Sequence, residues 1–250
     1  MQTSPAATAH PQVEENPALL HHFASEEQQK DAASLGMWIF LVTEIMFFGG
    51  MFCAYLVYRF WYFADFGASS SSLSLFWGTT NTAVLICSSW TVAMAVRSAQ
   101  IGKPKAIVLY LILTLVLGLA FLAVKAKEYK DKFDEHHIPG QAGFHLEGHI
   151  PRHPDIPVNQ QHAQIYFSLY FAMTGMHALH MIIGVGLFAF LTYKASQGAY
   201  HPGYYTPLEN GGLYWHFVDI VWIYLFPLLY LIDRHREAPC RNTFLRSNCT

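Results

Sequence analysis

Glu44 is a lone carboxyl in the middle of a stretch with no other charge, LGMWIFLVTEIMFFGGMFCAYLVY. Burial disfavours the charged form of any carboxyl. A glutamate at that depth needs a donor, an acceptor or an enclosed polar pocket, and ionisable groups inside such stretches mark function by default. A later apolar stretch carries His177 and His180, three apart and therefore on one side of a helix. Either could hydrogen-bond Glu44 across a helix interface, and His180 lies nearer the middle of its stretch. Two histidines on one face could instead hold haem or metal. That would require facing histidines at matching depth, and only His216 lies in or near another apolar stretch, close to its end, so no metal site is expected. His216 and Asp219, three apart in YWHFVD, can pair to tie down the entrance of the last stretch. A structural network is favoured for them over proton transfer. Glu128 ends the third apolar stretch among Lys125, Lys127, Lys130 and Lys132, which read as a solvated interfacial collar.

The elements that must position these groups follow from composition. Hydrophobic residues make up 53% of the 250 and charged residues 13%, about half the charge of an ordinary globular domain. The charges fall in the tails and loops and leave long apolar runs, the mark of membrane spans. The fold class expected is an all-α membrane protein with five transmembrane helices, at about 35–61, 75–96, 106–124, 165–193 and 213–232. A polar tail, 1–34, precedes this domain and a polar tail, 233–250, follows it. Backbone groups in hydrocarbon must be satisfied within a helix or a closed barrel, and these runs are too long and too uniformly apolar for barrel strands. Gly49-Gly50 allows a neighbouring helix to approach. A serine-rich loop is expected at 67–74, and Gly102 and Pro104 break the chain in a short basic turn.

A net charge of −2 gives no reason to expect nucleic acid as a partner. The N-terminus has no basic start leading into an apolar core with a cleavage site, so the first apolar run is expected to be retained as a span. Cys53 and Cys87 lie inside spans and read as small buried hydrophobes. Cys240 and Cys249 lie in the polar C-terminal tail, where they form a possible disulfide if that tail faces an oxidising compartment. The histidines of the long connection (His136, His137, His145, His149, His153) match no tight ligand spacing and read as a solvated loop.

Five stretches resemble one family together. GMWIFLVTEIMFFGGMFCAYLVYR looks like the span of cytochrome c oxidase subunit III that bears its carbodiimide-reactive glutamate. NTAVLICSSWTVAMA resembles that family's next span, and KAKEYKDKF the glutamate–tyrosine end of the one after. TGMHALHMIIGVG and YWHFVDIVWIYLFPLLYL are similar to its last two spans. The order is the family's, and the stretches cover most of 35–232. The resemblance implies the bacterial five-helix form of a haem-copper oxidase subunit, with a V-shaped bundle and a phospholipid-holding cleft. It implies a subunit with no redox cofactor and no active site of its own, haem and copper residing in partner subunits. Subunit I would be the direct partner, subunit II a further member of the complex with subunit IV in some forms, and membrane lipids and in some cases a larger respiratory supercomplex would surround it, within aerobic electron transport. By position Glu44 matches the carbodiimide-reactive glutamate, and Glu128, His177, His180, His216 and Asp219 fall on other polar motif positions. The alternatives are a quinol oxidase subunit, a nitric oxide reductase accessory subunit and, from another class, a small transporter.

The resemblance also implies a bacterial inner-membrane protein with its N-terminus cytoplasmic and its C-terminus periplasmic. The charge count opposes this orientation. Five basic residues, Lys30, Arg97, Lys103, Lys105 and Lys194, would lie inside and the other ten outside, against the usual bias of Lys and Arg toward the cytoplasm.

Overall fold

A computed structural model describes residues 23, 25–134, 146, 149–150 and 153–232. The elements are α1 (Glu26–Trp61), α2 (Phe63–Ser71), α3 (Leu75–Ile101), α4 (Pro104–Asp134), β1 (His149–Ile150), β2 (His153–Pro157), α5 (Gln160–Ser196) and α6 (Thr206–Tyr230). Five of the helices are long and apolar enough to cross a membrane, and β1 and β2 pair antiparallel in the connection before α5. α3, α4, α5 and α6 form a ring in which every neighbour is antiparallel, and α1 packs beside it on α5 and α6.

The helices overrun the spans that hydropathy marks. α1 begins nine residues before position 35, at Glu26. Its start is set by Ser25, whose hydroxyl accepts from the Gln28 N–H at 3.2 Å in a Ser-x-x-Gln capping arrangement. α5 has 37 residues, about 55 Å of helix against roughly 30 Å of hydrocarbon. Its ends therefore project into the headgroup layers or are taken up by tilt. Hydropathy detects only the hydrocarbon part, whereas caps decide where a helix stops. Between α3 and α4, Gly102 adopts φ 77°. This left-handed residue lets Lys103 N–H return to Ser98 O at 2.9 Å, and Pro104 opens α4 directly.

The expected serine-rich loop is instead the short helix α2, with Asp65 through Ser70 buried. Its hydroxyls are absorbed locally or at a neighbouring helix end. Ser69 Oγ donates to Asp65 O at 2.8 Å and Ser70 Oγ to Leu229 O at 2.7 Å. Leu229 O also accepts from Tyr166 Oη at 2.8 Å, and Leu228 O accepts from Tyr55 Oη. The last carbonyls of a helix have no intrahelical partner, so hydroxyls from α1, α2 and α5 close the end of α6.

The ring is packed along stripes of three-four spacing. In α4 the buried positions are Ile107, Leu111, Thr114, Gly118, Phe121, Lys125, Glu128 and Lys132, the repeat that keeps one seam on neighbouring helices. Trp215 of α6 fills the centre. Its Nε1 donates to Ser88 Oγ at 2.9 Å, and opposite edges of its ring lie over Gly118 and Gly184, where an added Cβ would sit 2.8 Å and 3.1 Å from ring carbons. The pair Gly49-Gly50, expected to receive a helix, has nothing within 4 Å, because it faces away from α5 and α6. Cys53 and Cys87 are likewise exposed on the bundle surface rather than buried within it.

Gly118→Ala is therefore expected to destabilise. The gain in helix propensity, about 1 kcal/mol, is outweighed by overpacking of about 1–3 kcal/mol against a ring that Gly184 already confines. Gly49→Ala, in open space, should be neutral or slightly stabilising. Thermal unfolding of the two variants in detergent reads the difference. A Gly118→Ala protein as stable as the parent would show that Trp215 is free to shift.

Candidate functional site

α1 turns Leu41, Glu44, Phe48 and Tyr55 toward the ring, again at three-four spacing; Leu41, Phe48 and Tyr55 are buried, while the Glu44 side chain keeps 19% of its surface exposed. Glu44 Oε2 lies 3.1 Å from His180 Nε2. The other nitrogen of that ring, Nδ1, is 2.9 Å from Met176 O. A carbonyl can only accept, so Nδ1 carries a proton. A neutral imidazole then has a bare Nε2, which requires Glu44 to supply the shared proton; an imidazolium would face a carboxylate. Either way the pair holds one proton between oxygen and nitrogen and has no net charge. Phe48 lies edge-on to the His180 ring with centroids 5.3 Å apart. Tyr214 Oη donates to His180 O at 2.8 Å, so α6 fixes the turn of α5 that presents the imidazole.

His177 is not the partner of Glu44. Three residues advance 300° around a helix, so the two imidazoles diverge by about 60°. His177 is fully buried between Phe121 and Trp222, ring centroids 5.5 Å and 5.1 Å away, and neither of its nitrogens has a hydrogen-bond partner.

The expected collar around Glu128 is not solvated. The side chains of Lys125 and Glu128 are only 3% and 6% exposed, with Nζ 2.9 Å from Oε2. The other carboxylate oxygen accepts from Tyr170 Oη at 3.0 Å and from Tyr230 Oη. Lys125 Nζ also donates to Tyr230 Oη at 3.0 Å and stands 4.8 Å over the Trp222 ring. Lys132 is buried too and donates to Ser72 O at 3.0 Å, whereas Lys127 and Lys130 are exposed. The signal was present in the sequence: Lys125, Glu128 and Lys132 continue the buried stripe of α4, and the two exposed lysines lie off it.

His216 and Asp219 do not pair. His216 Nδ1 is 2.6 Å from Ser89 Oγ of α3, and both Asp219 oxygens lack a hydrogen-bond partner. A further pair had no local sequence signal. Asp65 of α2 lies with Oδ2 2.6 Å from His162 Nδ1, its Oδ1 accepts from Asn159 N at 3.1 Å, and the His162 ring stacks on Tyr62 at 3.8 Å. His136, His137, His145, Cys240 and Cys249, and the side chains of His149 and His153, lie outside the described residues. Among the described residues no three His, Cys, Asp or Glu side chains converge.

The Lys125–Glu128 cluster can be tested by its asymmetry. Glu128→Leu leaves a buried ammonium and two tyrosine hydroxyls without their acceptor and is expected to cost about 3–5 kcal/mol. Lys125→Met combined with Glu128→Leu should recover most of that loss, since replacing both members of a buried pair by apolar groups is often near neutral. Denaturant or thermal unfolding of both variants decides it. A double variant no better than the single one would show that the aromatic cage depends on the charge.

The family described as cytochrome c oxidase subunit III matches residues 20–134 and 160–233, which include all five long helices. A probable cytochrome c oxidase subunit 3 of Mycobacterium leprae is 33% identical over 202 residues, covering 80% of this chain and 87% of that protein. Cytochrome c oxidase subunit 3 of Thermostichus vulcanus is 27% identical over 208 residues, 83% and 90% of the two chains. The corresponding protein of Synechocystis is 30% identical over 207 residues, 81% and 76% of the two. With the family match spanning all five long apolar helices and relatives aligned over most of their length, the chain belongs to the cytochrome c oxidase subunit III family.

Proposed function

We propose that this chain is a supporting subunit of a proton-pumping haem-copper terminal oxidase. It packs on the catalytic subunit I, which carries haem and copper, with subunit II and a possible subunit IV in the same complex. It binds no redox cofactor itself, holds structural phospholipid, and sustains proton uptake and turnover stability in the catalytic subunit. The observation that carries this reading is the Glu44–His180 pair. It is a proton-sharing, net-neutral contact within the membrane-spanning part, joining α1 to α5 at 3.1 Å, with part of the Glu44 side chain accessible at the bundle surface. A group so placed reaches the surrounding complex rather than a pocket of this chain.

The same reading sets the protein in a bacterial inner membrane with the N-terminus cytoplasmic. Two of the cations that oppose this orientation are not free surface charges: Lys125 is paired with Glu128, and both it and Lys132 are buried. The short basic α3–α4 turn then points inward, as the charge bias prefers. On that orientation the C-terminal tail would lie in the periplasm, the oxidising side on which a Cys240–Cys249 disulfide can form.

Affinity purification of the tagged chain is expected to recover subunit I with its haem absorbance and a subunit II with a dinuclear copper centre. Recovery of a quinol-oxidising complex instead would move the chain to that branch. Glu44→Gln should assemble but lose carbodiimide labelling. Glu44→Ala, missing a contact worth about 1–3 kcal/mol, should lose partner subunits or lipid on washing more than it changes haem content. A large loss of haem in the retained complex would contradict a purely supporting role. Orientation is checked separately with an impermeant thiol reagent after reduction. Periplasmic labelling of Cys249 is expected, and cytoplasmic labelling would overturn both the topology and the disulfide.

A further inference from the structure

Cations gather at one end of the ring without acids to pair with. Lys103 and Lys105 lie at the α3–α4 turn, and Lys194 lies in the last turn of α5. All three are exposed, and none has an ion pair among the described residues. Neither 98–127 nor 156–208 contains an aspartate or a glutamate. The first acid of α4 is Glu128, 23 residues beyond Lys105, about 35 Å along the helix. Glu209, near the start of α6, lines a different groove beside Arg97. Glu27 and Asp31 belong to α1, which packs on α5 and α6. Like charges gathered in this way repel one another unless a counter-charge comes from outside the chain.

Between these cations α4 and α5 leave an open groove, a cavity of about 360 Å³ lined by Pro104, Lys105, Val108, Ala195, Ser196 and Gly198. α4 begins here at Pro104, so the positive end of its dipole adds to the lysines. The last carbonyls of α5 are already met by the N–H groups of Gln197, Gly198 and Ala199. One turn deeper the surface is apolar. Leu109, four residues beyond Lys105, and Phe190, four before Lys194, both stand exposed, and the Lys194 ammonium lies 5.9 Å over the Phe190 ring. Lysine stems lie along such apolar surface while their heads reach the polar layer. A merely solvated collar needs neither the groove nor its apolar floor, and a soluble anion has no use for that floor. An anionic amphiphile fits both, and basic pockets between membrane helices are suited to acidic headgroups.

We infer that the α4/α5 groove binds one anionic phospholipid, its phosphate held by Lys103, Lys105 and Lys194 and its acyl chains lying along Val108, Leu109 and Phe190. Such a site rests on the proposed phospholipid binding and deepens it, by fixing a face of the bundle and the charge of the headgroup. A zwitterionic headgroup brings its own cation and gains less from three lysines.

The test uses the assembled complex, purified through the tagged chain and washed in detergent. Native mass spectrometry is expected to release the chain carrying phosphatidylglycerol or cardiolipin in preference to phosphatidylethanolamine. Phosphatidylglycerol with a photo-reactive acyl chain should label the stretches around Leu109 and Phe190. A lysine near the membrane surface raises affinity for anionic lipid roughly five-fold, so combining Lys103→Gln, Lys105→Gln and Lys194→Gln should cut retention by about ten-fold or more while the complex still forms. Lys127→Gln with Lys130→Gln, exposed lysines at the opposite end of α4, should leave it unchanged. Inorganic phosphate, compared with chloride at matched ionic strength, should not displace the lipid. Equal retention of the zwitterionic lipid, labelling elsewhere on the chain, an unaffected triple variant or displacement by phosphate overturns the site, while a phospholipid-holding subunit stands. A washed complex whose chain retains no phospholipid of any kind removes both.

Discussion

Hydrocarbon offers no hydrogen bonds, and the polar groups of this bundle turn to carbonyls of their own helix or to partners across a helix interface, with the buried side chains of Asn81, His177 and Asp219 left without one among the described residues. The end of α6 shows the constraint at work. Its last carbonyls are met by Tyr55, Ser70 and Tyr166, three hydroxyls from three other helices. Thr91 and Thr114 join α3 to α4 at 2.8 Å, and Trp215 and Trp222 each spend their single N–H on a hydroxyl of α3. Apolar side chains in lipid gain little from meeting one another. Close packing at Gly118 and Gly184 and these polar cross-links therefore specify the ring.

The same constraint separates two kinds of buried charge. Lys125 and Glu128 form a closed set, with each head group surrounded by partners from α4, α5 and α6. Such a set fixes which helices meet and at what rotation, and has nothing left to offer outside. Glu44 and His180 form a minimal set of one bond, between a helix that belongs to the ring and one that stands beside it. One proton satisfies the pair whichever atom holds it. That neutrality makes it tolerable within the membrane span, where the Glu44 side chain keeps part of its surface exposed.

Family membership and physical reading meet at these positions. The motifs that carry the likeness, around Glu44, Glu128, His180 and Asp219, are the positions at which the helices are locked together or left unlocked. The exposed Gly49-Gly50 pair and the apolar faces of α1 are unexplained by the chain's own packing, which suits a protein that completes its surface with others.

Five membrane helices, their order and the odd carboxyl at position 44 were legible in the sequence, because hydropathy is a sum over neighbouring residues and their solvent. The stripe holding Lys125, Glu128 and Lys132 was legible too, though a cluster of lysines at a span's end reads first as a solvated collar. The choice of His180 over His177, the partner of Asp65 and the separation of His216 from Asp219 were not. Glu44 and His180 are 136 residues apart, and Glu128 and Tyr230 are 102. Whether they touch depends on how each helix is rotated about its axis and which neighbour it faces. No local run of residues encodes that rotation; only the packing of all six helices sets it.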